Sequence, residues 1–319
     1  MPEGHILHRL ARLHHDRYAG APVRVSSPQG RFADGAATVN GRVLTHADAW
    51  GKHLFHHYEG ALTVHVHLGI YGAFTDSELP LGDPVGQVRM RMIGSGHGSD
   101  LRGPAACEVL TEGEVDAIEA RLGPDPLRAD ADPEQAWARI SRSRSPIGGL
   151  LMDQSVIAGV GNVYRAEVLF RHGIHPERPG KNLSRTEFDA IWADLVELMQ
   201  VGMARGRMHV VRPEHDHGAP AYAKDRPRTY VYRRVGDPCR VCGTPVLHKV
   251  MRAEPVLVPG LSTEVNLRPA AQNPSNPKSP SPLSPPNESP PRRRRRSCRH
   301  RRRNHCCRRH RSRRPRRRP

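Results

Sequence analysis

The hydrophobic period of this chain changes twice, and that switch limits the folds open to it. In residues 4–18, Ile6, Leu7, Leu10 and Leu13 fall at helical spacing. From 22 to 105 the pattern alternates instead, through Val23-Arg24-Val25, Arg42-Val43-Leu44, Leu54-Phe55, Leu62 to His67 and Val88 to Met92, with Gly and Pro between the runs. Alternate residues of a strand point to opposite faces, so this stretch reads as a mainly antiparallel β domain. Residues 133–206 return to the helical period. Ser184 and Glu187 have capping-box spacing there, ahead of a face of Phe188, Ile191, Leu195 and Leu198. The break between the two halves falls at Leu122-Gly123-Pro124-Asp125-Pro126-Leu127. Residues 226–235 read as a basic strand leading into a CxxC at Cys239 and Cys242.

After about Leu267 the pattern ends. Pro, Ser and Asn dominate 268–291 and Arg dominates 292–319. Such a segment buries too little apolar surface to offset its chain entropy, so 264–319 is expected to be disordered. The tail also holds the charge. The net +18 comes from 50 Lys and Arg against 32 Asp and Glu, and 19 of the bases but one of the acids lie in 265–319. Residues 1–264 therefore carry 31 of each sign, and bulk charge says nothing about what the folded part binds. No stretch approaches the ~20 apolar residues of a membrane helix, and no apolar run follows a basic patch at the start. A cytoplasmic, nucleoid-associated monomer is the expectation. In that setting a CxxC suggests metal or redox chemistry rather than a disulfide framework. A thioredoxin-type redox role would need a βαβ context, which the pattern lacks.

Three sites carry possible chemistry. The chain opens Met1-Pro2-Glu3-Gly4. Removal of Met1 leaves Pro2 as a free secondary amine with a pKa near about 8, partly uncharged at neutral pH and able to form an iminium with an aldehyde carbon. Glu3 beside it is placed for acid–base work, although a first-turn glutamate that only complements the helix dipole is the plainer reading of those residues alone. Lys52, in Trp50-Gly51-Lys52-His53-Leu54, suits a phosphate contact or proton transfer, against the plain alternative of a solvated strand lysine. Residues 148–164 read as helix, tight turns, helix. Gly159 and Gly161 permit close backbone approach, and Asn162 opens the second helix, where N–H groups favour a phosphate. A simple N-cap is the alternative for Asn162.

Taken together these residues resemble the formamidopyrimidine-DNA glycosylase/endonuclease VIII family. The matches are Met1 to Gly4, the Gly-Lys-His-Leu with Lys52, His67-Leu68-Gly69-Ile70-Tyr71-Gly72, Gly123 to Leu127, and Asp153-Gln154 through Asn162. They run in family order over about residues 1–250. The resemblance implies an α+β fold. An N-terminal helix plus antiparallel β-sandwich over 1–115 would be catalytic, a helix–two-turns–helix domain over 125–235 would bind DNA, and 236–263 would be a zinc-finger remnant. It implies Pro2 as Schiff-base nucleophile at the sugar C1′, Glu3 as acid/base and Lys52 as phosphate ligand and proton carrier. Asn162 and Arg121 would be backbone contacts, and Ile70-Tyr71, which look more like the endonuclease VIII branch, a wedge behind an extruded base. Gly69 belongs to the same implied DNA-binding turn, though the branch often has Gln there and no polar side-chain contact is carried over. The implied activity is bifunctional glycosylase/AP lyase action on double-stranded DNA with oxidised bases, mainly pyrimidines, or abasic sites. The alternative is a decayed, non-catalytic DNA-binding chain held by its basic tail.

The family finger closes a Cys₄ zinc site with a second CxxC about sixteen residues after the first. Here Cys242 is followed by no cysteine until Cys298. One degenerate encoding of residues 253–263, read one nucleotide later, gives Arg-Asn-Leu-Phe-Trp-Cys-Pro-Gly-Cys-Gln, the expected finger end with its arginine. The sequence therefore reads as frameshifted between about Lys249 and Ala253. Cys239 and Cys242 remain as half of a zinc site; completing it with His248 or tail cysteines would carry a high closure entropy, so zinc is expected to be lost or weak.

Overall fold

The computed structural model describes residues 2–216, 227–248 and 263–264. Helix α1 (Gly4–Tyr18) opens the chain, followed by β1 (Arg24–Ser26) and α2 (Ala33–Val39). Seven strands come next: β2 (Leu44–Trp50), β3 (His53–Tyr58), β4 (Leu62–His67), β5 (Ala73–Glu78), β6 (Val88–Ile93), β7 (His97–Arg102) and β8 (Ala106–Thr111). They form two four-stranded sheets, β1-β6-β7-β5 and β2-β3-β4-β8, antiparallel throughout. Leu7 and Ala11 of α1 join Val25, Leu44, Leu54, Val64, Val66, Met90, Met92 and Leu101 in one core. Alternation produces this: Leu54, His56 and Tyr58 of β3 are buried, while His53 and His57 are half-exposed. The antiparallel β domain expected from the alternating period is observed, and it takes the sandwich form that the resemblance implied.

β5 and β7 were not visible as alternating runs. Ala73 to Glu78 is mostly polar and exposed, and His97 to Arg102 buries Ser99 and Asp100. Besides Leu101 and half-buried Phe74, their burial is polar. Ser99 Oγ lies 2.5 Å from both Tyr18 Oη and Asp76 Oδ1, and His14 joins Asp76 at 3.2 Å and His56 at 2.9 Å. Such a network fixes strands without an apolar signature.

Helix α3 (Glu112–Glu119) covers the outer face of β2-β3-β4-β8 with Val115 against Phe55 and Leu110. The helical half follows, with α4 (Pro133–Ile140), α5 (Ile147–Leu150), α6 (Asn162–Arg171) and α7 (Arg185–Arg205). Ile140, Ile157, Tyr164, Val168, Phe188, Ile191, Leu195 and Leu198 make its core. Ser184 and Glu187 form the expected capping box on α7. Replacing that serine with alanine costs about 1 kcal/mol.

The strand expected at 226–235 is not formed over its described part. Fully buried Glu167 of α6 accepts the N–H groups of Tyr230, Val231 and Tyr232 at 2.7, 3.0 and 2.8 Å. The segment wraps a carboxylate, so those donors are not available to a ladder. Leu247–His248 pairs with Thr263–Glu264. The residues of the proposed frameshift and the Pro/Arg-rich tail beyond 264 lie outside the described residues.

Candidate active site

Glu3 is the N-cap of α1 and is fully buried, an unusual place for a carboxyl group. Its Oε1 accepts from Val163 N–H at 2.8 Å, and its Oε2 from Gly161 at 3.0 Å and Tyr164 at 3.3 Å. The carboxyl of the sandwich half thus caps the amino end of α6 in the helical half, where unpaired N–H groups favour an oxygen acceptor. Glycine makes the approach possible. Gly4 N–H donates to Gly159 O at 2.8 Å, and a Cβ on Gly161 would stand 2.4 Å from Glu3 Cδ. Burial pushes the Glu3 pKa up, overriding the opposing pull of Lys52 and of the three N–H donors. A carboxyl group biased toward its protonated form suits general-acid work.

Lys52 sits in the β2–β3 turn just after Gly51, whose φ of 61° is left-handed. Burial pulls the Lys52 pKa down, the Glu3 charge opposes that shift, and Arg165 reinforces it. Lys52 is half-buried in this turn, so it is not a fully solvated strand lysine. Fully buried Asp125 pins the turn. It accepts from Gly51 N–H at 2.7 Å and Leu127 N–H at 2.9 Å, and pairs with His8 Nε2 of α1 at 2.7 Å. Trp50 Nε1 donates to Gly123 O at 3.0 Å, so the Gly-Pro-Asp-Pro break is the clamp that holds the Lys52 hairpin.

Asn162 is the first residue of α6, and Gly161, not Asn162, is the N-cap. The Asn162 Oδ1 accepts from Arg165 Nη2 at 2.8 Å, which leaves its amide N–H groups to face an acceptor such as a phosphate oxygen. Arg165 is buried, at 5% exposure, and reaches Gly148 O at 3.4 Å. Gln154 braces the two turns before α6: Gly159 N–H donates to its Oε1 at 3.0 Å, and its Nε2 donates to Met152 O and Val160 O.

The Gly69-Ile70-Tyr71 turn joins β4 to β5, with Tyr71 86% exposed. At Gly69 φ is 64° and a Cβ would stand 2.8 Å from that of Ala105, so this turn has no room for a polar side chain at 69. Arg121 follows α3. It and Lys52 are both close enough to His53 to help depress that imidazole to about 3, after burial and the neighbouring His65 and His67. Glu3, Lys52 and, through Arg165, Asn162 are therefore gathered at the seam between the halves, with half-buried Pro2 directly ahead of Glu3. Ile70-Tyr71 and Arg121 stand on separate segments. Sequence reasoning missed Arg165. Its spacing of three from Asn162, on a helix otherwise mostly apolar, was the available signal.

Cys239 and Cys242 share a tight turn, with Val241 N–H 3.4 Å from Cys239 Sγ and Cys242 Sγ 2.9 Å from Thr244 Oγ1. A closed structural zinc site takes four ligands. Among the described residues no other His, Cys, Asp or Glu gathers with these two thiols. The described residues do not by themselves complete a finger zinc site.

Residues 1–102 match the model of the formamidopyrimidine-DNA glycosylase N-terminal domain, and residues 122–212 that of the formamidopyrimidine-DNA glycosylase H2TH domain. The chain belongs to the formamidopyrimidine-DNA glycosylase/endonuclease 8 family. Members of this family are DNA glycosylases with AP lyase activity. The chain is 68% identical over 247 residues to Endonuclease 8 1 of Mycobacterium tuberculosis (strain ATCC 25618 / H37Rv), covering 76% of this chain and 92% of that relative. It is 32% identical to the formamidopyrimidine-DNA glycosylase of Moorella thermoacetica over 65% of this chain and 76% of that one. Among solved structures, the MutM (Fpg) protein of Thermus thermophilus superposes with a TM-score of 0.63 at 27% identity, covering 78% of this chain and 94% of its own. The Lactococcus lactis Fpg, in a complex with abasic-site DNA, gives 0.64 at 17% identity over 78% and 94%, a likeness of fold.

Proposed function

We propose that this family member acts in base excision repair as a bifunctional glycosylase/AP lyase on double-stranded DNA carrying oxidised bases, mainly pyrimidines, or abasic sites. After Met1 is removed, the Pro2 amine attacks C1′ of the flipped nucleotide and the base leaves with the glycosidic electron pair. Glu3 gives its proton to the ring oxygen as the sugar opens, which leaves an iminium at C1′. That iminium acidifies C2′. Loss of a C2′ proton expels the 3′ phosphate, a second elimination expels the 5′ phosphate, and water then releases Pro2. Lys52, with its pKa pulled down by burial, carries protons and contacts phosphate. Asn162 and Arg121 hold the backbone, and Ile70-Tyr71 fill the gap left by the base. The domain roles follow: 1–115 carries the chemistry and 125–235 holds DNA.

The observation that carries this reading is Glu3, fully buried and shifted toward its protonated form beside Lys52. A buried carboxyl next to an amine is costly as structure and useful as an acid. Borohydride trapping on a duplex with an oxidised pyrimidine or an abasic site tests it. A covalent adduct that disappears when a residue is kept ahead of Pro2, so that its nitrogen is a tertiary amide with no free pair, is expected. An adduct of undiminished yield on that blocked chain overturns the nucleophile. No adduct, with equal binding to damaged and undamaged duplex, overturns the enzyme reading.

A further inference from the structure

The outer face of the sheet β2-β3-β4-β8 carries histidines that the glycosylase chemistry does not use. His46 and Asp48 stand two apart on β2 and so share that face, and His57 of β3 is the direct cross-strand partner of His46. We propose that His46, Asp48 and His57 form a binding site for one divalent transition-metal ion of the kind that takes imidazole nitrogen and carboxylate oxygen, such as Zn²⁺.

Strand register assembles the ligands. One ligand atom from each of the three lies within 4.8 Å of the other two, and among the described residues no other such group exists. His57 Nε2 is 3.2 Å from Asp48 Oδ1, and the two imidazoles stack with centroids 4.0 Å apart. Asp48 and His57 are half-buried and His46 is exposed, so the site is anchored on one side and open to an entering ion on the other.

The partners behind the ligands set the imidazoles for metal. Thr45 Oγ1 donates its single hydrogen to His57 O at 3.0 Å. Its contact with His46 Nδ1, at 3.2 Å, must therefore be an acceptance. That places the His46 proton on Nδ1 and leaves Nε2 with a lone pair. His57 Nδ1 lies 3.0 Å from Thr63 Oγ1, so the hydroxyl can accept the Nδ1 proton while Nε2 turns to the ion. An imidazole whose second nitrogen is held by an oxygen is the usual support of a metal-bound histidine. Two imidazoles and one carboxylate leave further positions open to water, a set that suits zinc and its neighbours over magnesium or calcium. The ion would clip β2 to β3, and this is the hairpin whose turn carries Lys52, four residues beyond Asp48.

The test is a zinc titration of the full-length protein by calorimetry, in parallel with His46→Ala, His57→Ala and Cys239→Ser/Cys242→Ser. The stoichiometry should fall by one in each histidine variant, and the double-serine variant should keep the site. Co²⁺ supplies an independent readout: the absorption difference between wild type and His46→Ala should show visible bands of nitrogen and oxygen ligation with no thiolate charge-transfer band. His46 is exposed, so its alanine variant should fold even if His57→Ala does not. Unchanged stoichiometry and affinity in His46→Ala, or a thiolate band in the difference spectrum, overturns the proposal.

Discussion

Gly161→Ala isolates the seam on which the proposed chemistry rests. Gly161 has φ −127° and ψ −165°, extended backbone that alanine adopts without strain. The conflict lies in the added methyl, which would stand 2.4 Å from Glu3 Cδ and 2.6 Å from Cγ and Oε1. Ordinary carbon contact begins near 3.4 Å, so the carboxyl must retreat by about 1 Å. That retreat pulls it off the Val163 and Tyr164 donors. Misplacing a reacting group by about 1 Å costs on the order of 100-fold in rate. Overpacking the seam should also lower stability by roughly 1–3 kcal/mol. Gly149→Ala is the control: it lies in α5, a Cβ there meets nothing within 4 Å, and it should cleave at the wild-type rate. Single-turnover cleavage of an abasic-site duplex, run well below both melting midpoints, reads the difference. A Gly161→Ala enzyme within about twofold of wild type would refute the claim that Glu3 must sit where α6 holds it.

Four further outcomes are expected. Arg165→Met frees the Asn162 amide and should weaken binding to abasic duplex by about 2–10-fold, the worth of one hydrogen bond, with the melting midpoint measured alongside. Asp125→Ala leaves the buried Gly51 N–H and the half-buried Leu127 N–H without an acceptor and should cost roughly 2–5 kcal/mol by urea denaturation. For Glu3 the sign with pH is definite. The folded state keeps a proton that the unfolded state releases near its ordinary pKa of 4.5, so wild-type stability should fall as pH rises above 4.5 until the raised pKa is passed. Glu3→Gln lacks that proton, so its stability relative to wild type should climb over the same window, and parallel urea profiles would contradict the shift. Metal analysis should find no tightly held finger zinc on this chain, whereas the product shifted by one nucleotide after Lys249 should bind one; a tight zinc lost with Cys239→Ser would contradict the half-site reading.

Periodicity made much of the fold legible, because Leu54, Val64, Val66, Met90 and Met92 bury in alternation on one core. β5 and β7 escaped, since apart from Leu101 and Phe74 their inward side chains are polar and satisfied by His14, Tyr18 and each other. The segment before Cys239 misled for a related reason. Its Tyr-Val-Tyr alternation resembles a strand, yet its N–H groups are taken by Glu167, 63 to 65 residues away in sequence. Local pattern carries no information about such a partner. At the site, Pro2, Glu3, Lys52 and Asn162 were visible as motif residues. The direction of the Lys52 shift was not, because burial depends on tertiary packing. Arg165 was hidden by its type, since an arginine on a helix is normally a solvated one.

The carboxyl of Glu3, held by N–H groups 158 to 161 residues further along the chain, makes the site a conjunction. Neither half owns it: the first supplies the carboxyl proposed as the acid and the second supplies the cradle that fixes it. On the proposed chemistry, competence is therefore a readout of docking between the halves, because displacing either one moves the carboxyl off its donors. The same conjunction restricts inheritance. Residue 3 and the 159–161 loop must change together or not at all, so a chimera built by exchanging one half with a relative should work only where the incoming loop still leaves room for a carboxyl group.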